Sequence, residues 1–314
     1  MARVLDAGPV TARLALPSGT ARRLVVVAMV CLAAVAASTA LTLPRTGLTE
    51  LVLPAVVVAA FTLQLMDASA GMGFGTALAP LLIALGYEPL QVVPVLLIAQ
   101  SLAGLISGAV HHELRNVNFS FRPASAATRV AALLAGVGIV SSVVAVLVVY
   151  LAIEMSAAFI TTYVAILIFG MAAVYLLQLW VARRRRTVTR YPRPRLLVVF
   201  AAIAGVNKGI GGGGYGPVVA LGQMISGIYS KSAVAIVVLA EGLVSAVGAL
   251  TYVALTAAGV GLDLVLLPSV LAGGLLGAVA APYLVRVVPN RWFAPIVPIY
   301  AIVIGIVVLT RLGG

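Results

Sequence analysis

Eight long apolar runs, near residues 24–43, 51–66, 90–110, 130–150, 157–181, 231–256, 265–285 and 293–310, constrain this chain more than any other feature. As helices, most of them are long enough to cross roughly 30 Å of hydrocarbon. Charged residues make up 9% of the 314 positions, against about 25% in a soluble domain. The expected fold is therefore an all-α polytopic membrane protein.

The net charge of +12 does not point to nucleic acid, because the arginines cluster in the connections between apolar runs, above all Arg183 to Arg186 with Arg190, Arg193 and Arg195. If the N-terminus is cytoplasmic, residues 1–23, 111–129, 182–195, 225–231 and 286–291 fall on the cytoplasmic side and hold 17 of the 20 Lys and Arg residues. The opposite set carries Arg45 and Arg311 against Glu50, Glu88, Glu154 and Asp263. That asymmetry is the positive-inside pattern and places the chain in a bacterial-type inner membrane, multi-pass, with a cytoplasmic N-terminus. The run after Arg22 and Arg23 also has features of a signal peptide, but its length favours a retained helix. Cys31 lies within that run and is the single cysteine, so no internal disulfide forms.

Sliding the sequence over itself by 141 residues brings Gly71, Gly73, Gly75 and Gly86 onto Gly212, Gly214, Gly216 and Gly227, and Phe74 onto Tyr215. The first copy starts on the outer side near Glu50 and the second on the inner side near Arg195. The copies are thus inverted, as in many secondary transporters. This divides the chain into a tail and added helix (1–47), a first repeat (48–182), an Arg-rich cytoplasmic linker (183–195) and a second repeat (196–314).

Each copy contains an apolar segment broken by glycines, Ala70 to Gly75 in the first and Gly209 to Pro217 in the second. Unwound backbone cannot face lipid without leaving polar groups unpaired, so each elbow must face protein or a hydrated cavity. By the count of crossings, residues 51–87 and 196–225 enter and return as broken or re-entrant helices from opposite sides, and their elbows meet near the midplane. Helices leaving the elbows present free N–H groups and a positive dipole end, which suit a small anion. The expected substrate-binding residues are Gly71, Gly73, Phe74, Gly75, Gly211, Gly212, Gly213, Gly214, Tyr215 and Lys208. The competing reading is that the glycines serve close helix packing.

On Gly71-Met72-Gly73-Phe74-Gly75 with Pro80 and Gly86, and on Gly209-Ile210-Gly211-Gly212-Gly213 with Tyr215, Gly216 and Gly227, the chain resembles the sulfite exporter TauE/SafE (TSUP) family over roughly residues 50–310. The resemblance implies transport of sulfur-containing anions such as sulfite, sulfonates or related small carboxylates. Ala70 and Met72, where glycines are typical, and the early Pro217 depart from the family pattern.

Three ionisable residues fall inside apolar segments: Asp67, Lys208 and Glu241. Asp67 and Lys208 are equivalent positions, and so are Gln100 and Glu241. One expectation is that Lys208 supplies positive charge to the anion while Asp67 or Glu241 carries a coupled proton. The other is that Asp67 pairs with Lys208 and backbone amides alone hold the anion. Gln100, Asn207 and Ser245 are candidate path-lining residues, with hydrogen bonding between helices as the alternative for Gln100 and Glu241. His111 and His112 read as interfacial, and Tyr150, Trp180, Tyr191 and Trp292 as belt residues. The membrane segments hold no Ser/His pair, paired-Asp arrangement or metal-ligand spacing, so neither an enzyme nor a cofactor or metal is expected. An anion channel and a membrane scaffold are the alternatives to a carrier; the partners expected are lipid, a small anion and H+.

Overall fold

The computed structural model describes residues 16–42, 53–149 apart from 72, 193–287 apart from 227 and 229, and isolated positions between 159 and 180 and at 306. The Arg-rich stretch 183–192, Met72, Tyr150, Tyr191, Trp292 and the last apolar run apart from residue 306 lie outside them. Among the described residues the chain is all-helical, with nine α-helices. They are α1 (Ser18–Thr42), α2 (Pro54–Ala70), α3 (Phe74–Ala84), α4 (Pro89–Glu113), α5 (Ala126–Leu147), α6 (Pro194–Gly211), α7 (Tyr215–Ile225), α8 (Ser230–Leu255) and α9 (Leu267–Val287). Six of them are long and apolar enough to cross a membrane. Leu32, Val58, Val140, Leu250 and Leu276 are exposed on outward helix faces, the arrangement expected where lipid is the solvent.

The helices repeat. Phe74–Ala84 and Tyr215–Ile225 are each 11 residues long and lie 141 residues apart at both ends. α4 and α8 start 141 apart, as do α5 and α9. Packing is reciprocal too: α2 lies on α9 and α6 on α5, α4 lies on α9 and α8 on α5, and α4 crosses α8. Every one of these contacts maps onto another, or onto itself, when the copies are exchanged, which is the behaviour of two units related by a two-fold axis. At the α4–α8 crossing a Cβ on Gly104 would come 2.7 Å from the Cα of Gly242.

The connections sort to two ends. At one, Glu113 at the close of α4 accepts from Thr20 at 3.0 Å and Arg23 at 2.6 Å near the start of α1, and Asn116 reaches the carbonyl of Pro282 in the last turns of α9. At the other, the N–H of Leu53 donates to Ser269 and Gln91 donates to Asp263 at 2.8 Å. These are the same two groups of connections that charge separates. Because Leu53 and Glu88 both lie toward the second end, the α2–α3 pair enters and leaves at one face. The α6–α7 pair also folds back, with Gly222 packed directly on Phe200. At about 25 Å and 16 Å by helix rise, α2 and α3 are too short to span separately.

Candidate functional site

Each elbow begins with the same closure. Gly71 adopts φ +78° and its N–H bonds the carbonyl of Asp67; Gly212 adopts φ +70° and its N–H bonds the carbonyl of Lys208. A left-handed residue after the last turn caps the orphan carbonyls of a broken helix, and glycine adopts it without a Cβ penalty.

The two elbows then meet, running antiparallel. A Cβ on Gly216 would come 2.5 Å from the carbonyl oxygen of Gly71, and one on Gly75 would come 2.6 Å from that of Gly212. These two contacts are repeat images of each other. At the centre, a Cβ on Gly213 would overlap the carbonyl of Gly75, and the N–H of Gly214 points to Thr76 Oγ1 at 3.4 Å. Close backbone approach is thus a direct role of Gly75, Gly213 and Gly216, as the packing reading held. Phe74 and Tyr215 are both fully buried. Phe74 lies against Gly274 of α9, while the Tyr215 hydroxyl donates to the carbonyl of Leu134 in α5 at 2.9 Å.

Beside the crossed elbows lies a buried polar cluster. Lys208 Nζ donates to Glu241 Oε1 at 2.8 Å, with side-chain exposures of 0% and 3%. Gln100 Nε2 donates to Asp67 Oδ2 at 2.9 Å. The pairing of Asp67 with Lys208 entertained from sequence is therefore not what forms: each residue pairs within its own repeat, across to the next long helix. The inter-helix hydrogen bonding weighed for Gln100 and Glu241 does form. Asp67 lies near the backbone of Phe74 at the start of α3 and within electrostatic reach of both Lys208 and Glu241. Its carboxylate thus stands near the positive end of α3, a favourable placement for an acid.

The cluster is asymmetric where the backbone is symmetric. Lys208, in the place of Asp67, reaches across to the opposite elbow, and a Cβ on Gly75 would come 3.3 Å from its Nζ. Glu241 turns its second oxygen toward the second elbow, 3.4 Å from where a Gly216 Cβ would stand. That oxygen, Oε2, has no hydrogen-bond partner among the described residues, and neither do Gln100 Oε1, Ser107 Oγ and Ser245 Oγ. Asn207 is nearly buried and accepts from the Tyr163 hydroxyl at 2.5 Å.

Sequence reading placed His111 at an interface, and the structure corrects this. Its side chain is fully buried, with Nε2 3.0 Å from the carbonyl of Ala68. The apolar run ends near residue 110 and is followed by Glu113 and Arg115, which hid the burial. Asn116, a polar residue in reach of the same helix end, was the available signal.

Reciprocal packing around two touching, broken-helix hairpins, with six helices long and apolar enough to cross a membrane, defines a polytopic membrane protein. A model of the sulfite exporter TauE/SafE family matches residues 56–308, and the chain belongs to that family. Neither a curated protein nor a solved structure matches it.

Proposed function

We propose that the chain is a secondary transporter of a small sulfur-containing oxyanion or organosulfonate, sulfite-like in size and charge, coupled to H+ and working by alternating access around the crossed elbows. The observation that carries this is the position of Lys208: wholly buried, held by Glu241 at 2.8 Å, and beside Gly75 of the opposite elbow. An anion at the elbows competes with Glu241 for that ammonium group. Once displaced, Glu241 would be a buried unpaired carboxylate, costing several kcal/mol, and taking up a proton removes the cost. Anion entry and proton entry are thereby linked.

Amides of Gly75, Gly213, Gly214 and Tyr215, with the dipole ends of α3 and α7, supply further donors. Gly71, Gly73, Phe74, Gly211 and Gly212 shape the elbows, while Gln100, Asn207 and Ser245 line the approach, with Asp67 as a second acid. The elbows touch, so the substrate lies beside their contact, between Lys208 and the first turns of α3 and α7. Inverted repeats that rock about such a junction expose it to either side in turn. The arginine distribution supports an inner-membrane setting with a cytoplasmic N-terminus.

The test is uptake of radiolabelled sulfite into proteoliposomes by Lys208→Gln. Loss of one charge-assisted contact to the anion should raise the apparent KM by about tenfold or more. An unchanged KM and maximal rate would remove Lys208 from the site.

A further inference from the structure

Breaking a helix leaves carbonyls without partners at its C-terminal end. In α2 the carbonyl of Asp67 is closed by the N–H of Gly71 at 2.7 Å. The next carbonyl, that of Ala68, is met from another helix by His111 Nε2 at 3.0 Å. A carbonyl only accepts, so Nε2 carries the proton and Nδ1 is the acceptor. Nδ1 faces the amide nitrogen of Asn116 at 3.1 Å, and that nitrogen also donates to the carbonyl of Pro282 at 2.9 Å. Three buried polar contacts thus join the end of α2, the end of α4 and the last turns of α9.

Packing alone does not require an imidazole here, since an apolar side chain would fill the same volume. It would leave the Ala68 carbonyl unsatisfied in a dry interior, which is costly. The second repeat has Tyr252 in place of His111 and Gly209 in place of Ala68, with Gly209 packed against the backbone of Ser142. Only the elbow that carries Asp67 is held by an imidazole.

We propose that His111 is the positioning residue of the first elbow: through the Ala68 carbonyl it fixes the last turn of α2, and with it the carboxylate of Asp67, against α4 and α9. Its consequence for transport rests on the function proposed above, but the position of the elbow is measurable without any substrate.

The experiment uses the full chain in membranes, with Cys31→Ala removing the single cysteine and Ser69→Cys placing a thiol next to the held carbonyl, at a site 1% exposed. N-ethylmaleimide should label this thiol slowly when His111 is present. In His111→Ala labelling should be about tenfold faster, the effect of one buried hydrogen bond on a local opening. His111→Gln, which keeps an N–H donor, should restore slow labelling, a rescue that a purely space-filling role would not produce. Asn116→Ala is the milder variant and should speed labelling by a smaller factor; it decides the matter should His111→Ala fail to accumulate in the membrane. Labelling in His111→Ala or Asn116→Ala as slow as in the parent overturns the proposal, as does failure of His111→Gln to restore it. No anion enters the assay, so absent sulfite transport in the parent would count against the transport reading alone.

Discussion

Lys208 holds Glu241 at 2.8 Å across an interval of 33 residues, the same interval that separates Asp67 from the Gln100 amide that binds it. Two copies of one backbone arrangement therefore carry different chemistry: an ion pair in one and a carboxylate held by an amide in the other.

Removing one member of this buried pair leaves the other uncompensated. Lys208→Gln or Glu241→Gln alone should destabilise the purified protein by about 3–5 kcal/mol, whereas the double variant should recover a large part of that loss. Thermal unfolding in a single detergent checks this. Equal and additive losses would show that the two side chains do not act as a pair.

A proton role for Glu241 predicts a separation of activities. Glu241→Gln should abolish sulfite transport driven by a pH gradient while leaving anion exchange measurable, because a neutral amide neither takes up nor releases a proton. Retained pH-driven uptake in Glu241→Gln would assign coupling elsewhere, with Asp67 the next candidate to substitute.

The elbow contact predicts a sharp positional contrast among glycines. Gly213→Ala should abolish transport and lower stability, since its methyl group would meet the backbone of Gly75. Gly136→Ala, on α5 with open space around it, should be neutral or stabilising by up to about 1 kcal/mol from helix propensity. Expression level and unfolding temperature of the two variants give the comparison, and a well-folded, active Gly213→Ala would contradict the crossed arrangement.

Arg23 and Glu113 make a less consequential contact. The arginine side chain is 72% exposed, and ion pairs of that kind contribute about 0–1 kcal/mol. Glu113→Gln should therefore change the unfolding temperature little, and any effect should fade as salt is raised. A large, salt-insensitive loss would mean that α1 is held to α4 mainly through this carboxylate.

Much of this architecture was legible in the sequence because glycine and charge are conspicuous against an apolar background. The bunching at Gly71, Gly73 and Gly75 and at Gly211 to Gly214 marks a break that lipid would not tolerate, and the 141-residue offset pairs those breaks. The offset identifies which residues are equivalent, such as Asp67 and Lys208, but not which ones touch. Contacts depend on how the helices pack, and α4 beside α2 brings Gln100 to Asp67 while α8 beside α6 brings Glu241 to Lys208, instead of joining the two charges. His111 was misread for a related reason: its burial comes from α2 and α9, elements distant in sequence, and Asn116 is the single nearby residue that hints at them.

Counterflow gives the most direct test of the central claim. Proteoliposomes loaded with unlabelled sulfite and diluted into a trace of labelled sulfite should accumulate label transiently above its equilibrium level, with an initial rate that saturates. Labelled sulfite that enters without overshoot, alongside an anion current proportional to voltage, would show a channel and contradict an alternating-access carrier.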